Sequence, residues 1–138
     1  MAEYGRAYEE IRAAGADVVA LSVDTQARSE AVRAQLALPY PVLCDPARTV
    51  VRAWDLHNAR EMGGIAVPAV FVIGPDRCVR YRSIDSTRDR VATDGVLRFL
   101  RGEARGKELG RERVQAGLGE FARAIANAVR RGLRTPHE

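Results

Sequence analysis

Asp17-Val-Val-Ala-Leu-Ser-Val23 is a near-continuous apolar run set between two segments of helical spacing. A strand that alternates apolar and polar residues can leave one face in water. A run apolar at almost every position must be covered on both faces, the mark of a parallel sheet with helices above and below. Before the run, Tyr4, Ala7, Tyr8, Ile11 and Ala14 fall on one face of a helix, and Gly15 is placed to end it. After it, Asp24 or Thr25 is positioned to cap a second helix through Leu36, with Val32 and Leu36 facing the core.

The alternation continues. Pro39–Cys44 reads as a short strand, and its prolines suit a sheet edge. Asp45-Pro46 places Asp at an N-cap and Pro at N1 of a third helix ending near Trp54 or Leu56. A loop from His57 to Val67 leads to a hairpin, Val70–Ile73 and Val79–Arg82 about a Gly74-Pro-Asp-Arg77 turn, and Asp94–Leu100 is a further helix. The order α β α β α β β α predicts an α/β fold, mainly parallel with a closing antiparallel hairpin and flanking helices. Residues 102–110 form a break rich in charge and glycine. Beyond it Val114, Leu118, Phe121, Ile125, Val129 and Leu133 mark a long amphipathic helix. The division is a domain over 1–101 and a basic helical extension over 102–138.

Charge follows that division. Residues 1–97 carry 12 Arg against 13 Asp and Glu, while 98–138 carry 10 Arg and Lys against 5 Glu. The excess of Arg over Lys is read as coding bias rather than phosphate recognition. Without interleaved aromatics, the basic face with Arg123, Arg130, Arg131 and Arg134 does not read as a nucleic-acid platform. No apolar run is long enough to span a bilayer, and the amino terminus lacks the pattern of a secretory signal, so a cytoplasmic protein is expected. No metal spacing or phosphate loop occurs, and no cofactor is expected.

The blocks "AYEEIRAAGADVVALSVDT", "LPYPVLCDPARTVVRAW" and "GGIAVPAVFVIGPDRCVRYRSID", in that order, resemble the alkyl hydroperoxide reductase/thiol-specific antioxidant proteins: the peroxiredoxins and their redoxin relatives. The resemblance covers roughly residues 4–100 and implies a thioredoxin-like fold. It also implies that Val67-Pro68 is an active-site loop with a cis peptide bond, facing a catalytic thiol. In many peroxiredoxins an arginine stands near the position of Pro68. The family's nucleophile is a cysteine in a Pro-x-x-x-Thr-x-x-Cys segment after a first strand. That segment is expected before Met1, so the chain reads as amino-terminally incomplete, with its first strand missing. Coding sequence upstream of Met1 is the discriminating observation.

Two cysteines remain. Cys44 directly precedes the Asp45-Pro46 helix start and is the candidate catalytic thiol; Cys78, at the hairpin turn, reads as a surface thiol. The function implied is a thiol-dependent oxidoreductase and antioxidant in full-length form, with hydroperoxides or disulfides as substrates and a thioredoxin-like thiol reductant as partner. The alternative is a redox-inactive interaction module that keeps the Pro68 loop as a binding surface. In the resembling fold the missing strand lies between Asp17–Val23 and Val70–Ile73. Two half-sheets with an exposed edge are therefore expected, and with them self-association.

Overall fold

The computed structural model describes residues 1–59, 64–85, 89–105 and 111–113. The first helical segment is broken in two, α1 (Ala2–Arg6) and α2 (Tyr8–Ala13), and Gly15 follows with φ +81°, the left-handed conformation a glycine adopts without strain. Ile11 carries the buried face of α2. Gly5 lets the first turn close on the Leu38–Pro39 corner: a Cβ there would sit 3.3 Å from Leu38 Cδ2. Tyr8 leans on the Tyr40 ring, centroids 6.0 Å apart.

The strand expected over Asp17–Val23 is shorter, β1 (Ala20–Ser22). Asp17 lies in the irregular segment before it instead. Its carboxylate accepts hydrogen bonds from the Val18 N–H, the Tyr8 hydroxyl and the Arg12 guanidinium, so the ladder begins only at Ala20, whose N–H donates to Pro41 O. The Val18 amide first, then the Tyr8 hydroxyl, holds the Asp17 carboxyl below its ordinary range. β1 pairs in parallel with β2 (Val42–Cys44), Ala20 opposite Val42 and Ser22 opposite Cys44. The cover on both faces that the apolar run predicts is incomplete: Val19 is 59% and Leu43 52% exposed. A two-stranded sheet with α3 (Gln26–Gln35) packed beside β2 does not enclose both faces.

Thr25 occupies the N-cap of α3, but neither it nor Asp24 caps through its side chain; Asp24 accepts from the Ser22 hydroxyl instead. Val32 and Leu36, expected in the core, are exposed, and Ser29 is the buried residue of the helix. The turn after α3 explains the exchange. Leu38 N–H returns to Arg33 O, and Arg33 Nε donates to Tyr40 O. Leu38 and Tyr40 then fill the core at 4% and 1% exposure.

Asp45 does cap the next helix, though not as its N-cap residue. α4 (Thr49–Ala53) has Arg48 at its N-cap, with φ +59°. Asp45 reaches across the Pro46–Arg48 turn and accepts from the N–H groups of Thr49, Val50 and Val51 at 2.8, 2.9 and 3.0 Å. Pro46 lies in that turn rather than at N1.

The expected loop from His57 to Val67 contains a small antiparallel pair, β3 (His57–Asn58) with β4 (Ile65–Ala66). The hairpin is β5 (Ala69–Ile73) with β6 (Val79–Ile84), antiparallel with a register shift at Val72/Ile73. A further strand β7 (Asp89–Val91) precedes α5 (Thr93–Leu100), whose Val96 and Leu97 are buried. β7 pairs with β8 (Arg111–Arg113), a strand the sequence pattern does not announce. The amphipathic segment from Val114 onward lies outside the described residues. Among the described residues the strands form four separate pairs, and no ladder joins β1 to β5.

Candidate functional site

Pro68 stands immediately before β5, where its missing N–H removes no ladder hydrogen bond. The cis bond expected there is corrected by the structure: no peptide bond among the described residues is cis, and Val67–Pro68 is trans. The trans form is the lower-energy isomer of an X-Pro bond by about 0.5–1 kcal/mol. The loop also meets its hydrogen-bond needs in that form. Val67 N–H donates to Leu56 O and Pro68 O accepts from Asp85 N–H, both at 2.7 Å. Two of the three backbone polar groups of Val67-Pro68 are thus engaged internally.

The approach to the loop is held by side chains. Gly64, buried with φ +91°, offers its carbonyl to Arg48 Nε at 2.7 Å. A Cβ at Gly64 would lie 2.8 Å from His57 Nε2 and 3.2 Å from Arg48 Nε, so the backbone passes where only glycine fits. Trp54, at the end of α4, meets the Phe71 ring edge-on with centroids 4.6 Å apart.

Beside Pro68 lies a buried polar group that sequence reasoning missed. Asp85, 5% exposed, accepts from the Ser83 hydroxyl and from Val91 N–H at 3.2 Å. The Tyr4 and Thr93 hydroxyl oxygens are buried without a good hydrogen bond. Burial first, then the Asp85 carboxylate, pushes the Tyr4 phenol up to about 12; the Thr93 hydroxyl pulls the other way. The available signal was the Ser83-Ile-Asp85 pattern, which alternation turns inward at a strand end.

The candidate thiol lies apart from this cluster. Cys44 ends β2, half-buried and opposite Ser22, while Val67 and Pro68 lead into a different sheet. Its sulfur is 3.9 Å from Val42 O. Cys78 is exposed at the hairpin turn, its sulfur 3.8 Å from Asp76 O. A carbonyl is an acceptor, the opposite of the donor or cation that sustains a reactive thiolate. Both thiols are free. Among the described residues no three His, Cys, Asp or Glu side chains gather to hold a metal, and no helix is long and apolar enough to cross a membrane.

The family model described as "AhpC/TSA family" matches residues 1–82. Two solved structures are similar. Mycobacterium bovis AhpC is 26% identical with a TM-score of 0.63, covering 72% of this chain and 56% of that one. A cysteine-to-serine mutant of peroxiredoxin 6 from Arenicola marina is 21% identical with a TM-score of 0.62, covering 72% of this chain and 50% of that one. The chain thus spans about half the length of either structure. Among curated proteins none matches the chain.

Proposed function

The chain belongs to the AhpC/TSA family, and on that premise we propose that in full-length form it is a thiol-dependent oxidoreductase that reduces hydroperoxides or disulfides in the cytoplasm. The observation that carries this reading is the family match, which runs through β1, β2, Val67-Pro68 and most of the hairpin. In such chemistry a thiolate attacks the terminal peroxide oxygen. The O–O bond breaks, the alcohol leaves, and the sulfur is oxidised to sulfenic acid; a second thiol then condenses with it, releasing water and forming a disulfide that a thioredoxin-like reductant returns to thiols. Val67 and Pro68 are the loop assigned to face the reacting thiol. With Val67 N–H and Pro68 O engaged, they act by shape more than by hydrogen bonding.

The attacking thiol is not assigned to Cys78, and Cys44 has a carbonyl rather than a cation beside its sulfur. Purified residues 1–138 are therefore expected to consume hydroperoxide no faster than a Cys44→Ser, Cys78→Ser double variant, with dithiothreitol as reductant. A rate clearly above that control, lost on Cys44→Ser alone, makes Cys44 the nucleophile. If the same 138 residues capture a partner with unchanged affinity in the double variant, the redox-inactive binding module is the better reading.

Self-association forms part of the proposal. β1 and β5 each have a ladder partner on one edge only among the described residues, and an open apolar edge is a template for another chain. Each backbone group left unpaired in a buried setting costs about 1–3 kcal/mol. Sedimentation velocity across a hundredfold range of concentration is expected to show mass increasing with concentration. A monomer at every concentration, melting cooperatively well above room temperature, overturns this.

A further inference from the structure

The open end of the hairpin closes on a rung that the sequence weakens. The register of β5 on β6 pairs Val70 with Ser83 and Ala69 with Ile84, so Pro68 comes opposite Asp85. Asp85 N–H donates to Pro68 O at 2.7 Å. In an antiparallel ladder a pair bonded in this way ordinarily exchanges two hydrogen bonds. Pro68 has no N–H, so only the one forms. A terminal rung with a single bond frays unless its members are held from elsewhere.

Asp85 is held through its side chain. The carboxylate accepts from the Ser83 hydroxyl of its own strand and from Val91 N–H of β7 at 3.2 Å. Asp85, Ser83 and Val91 are all buried, so water does not readily replace either bond, and hydrogen bonds to a charged group are the stronger kind. The backbone at Asp85 is thereby clamped between β6 and β7, with its N–H on the Pro68 carbonyl.

The hold extends to Val67. Proline locks its own φ and restricts the residue before it, so Val67-Pro68 moves as one stiff unit. That unit has two pins: Val67 N–H on Leu56 O and Pro68 O under Asp85 N–H. A shift at one pin is carried to the other.

We propose that Asp85 is a positioning residue for the Val67-Pro68 loop, its carboxylate replacing the hold that the proline removes from the last rung of the hairpin. What the loop faces in the reaction rests on the redox reading above. The positioning is measured without turnover, so either can fail without the other.

Amide hydrogen exchange of the full chain, followed by NMR, tests it residue by residue. Asp85→Ala is expected to lower the protection of the residue 85 and Val67 N–H groups roughly tenfold to hundredfold, the loss of a bond network to a charged acceptor. Two other amides serve as controls and are expected to hold: Gly74 N–H on Cys78 O, at the far end of the same hairpin, and Ala20 N–H on Pro41 O in the β1–β2 sheet. Asp85→Asn keeps an acceptor for Val91 N–H and offers an amide to the Ser83 oxygen, and is expected to restore protection to within roughly threefold of the parent. If Asp85→Ala does not fold, Ser83→Ala carries the test, with the same two amides expected to lose roughly threefold to tenfold. Val67 protection unchanged in whichever of the two is read overturns the proposal, since the loop is then held without Asp85. An equal fall at all four amides overturns it too, as a general loss of stability, and so does Asp85→Asn behaving no better than Asp85→Ala.

Discussion

Asp45→Ala is expected to lower the unfolding free energy by about 3 kcal/mol, since three N–H groups at the start of α4 lose one shared acceptor. The carboxylate is 6% exposed, so water does not readily take its place. The loss concentrates on the first turn of a five-residue helix that positions two groups: Val51, 2% exposed in the core, and Trp54 on Phe71. Asp45→Asn keeps one carbonyl acceptor and is expected to cost about half as much, within the range for a lost helix cap. Urea unfolding followed by circular dichroism measures both. A change below about 1 kcal/mol for the alanine variant means that Arg48, at the N-cap, suffices to start the helix.

Tyr4 controls an alkaline loss of stability. Its phenol is held neutral up to about 12, by burial first and then by the Asp85 carboxylate, whereas in the unfolded chain it titrates near the ordinary 10. Below pH 10 both states carry the proton and the group contributes no pH dependence. Between 10 and 12 the unfolded state gives up its proton first, binds fewer protons than the native state, and is favoured. Stability is then expected to fall by about 2–3 kcal/mol across that window and to level off above it. Tyr4→Phe removes this loss. Because the Tyr4 oxygen is buried without a good hydrogen bond, the variant is expected to be no less stable than the parent at neutral pH. Chemical denaturation at pH 8 and pH 11.5 tests the pair: parallel losses in parent and variant place the alkaline sensitivity elsewhere.

Local chemistry in the sequence carried the element order, because it acts within a few residues. The helical stripe ending at Gly15, the Asp45 carboxylate ahead of a helix and the Gly74–Arg77 turn each depend on near neighbours, and each recurs in the fold. The blocks that resemble the AhpC/TSA proteins likewise hold their order. Three features depended on contacts between different elements and were decided only in three dimensions. Asp17 left the strand because Tyr8 and Arg12, side chains of the preceding helix α2, claimed its carboxylate. Val32 and Leu36 gave up the core to Leu38 and Tyr40 because the turn after α3 brought those two inward. The Val67–Pro68 bond is trans, its loop pinned by Leu56 and Asp85 across the fold, and Asp85 joined Tyr4 and Thr93 in one buried polar group from three separate segments. A one-dimensional pattern records which side chains prefer burial. Which of them reaches it is set by the hydrogen bonds and packing between one element and the next.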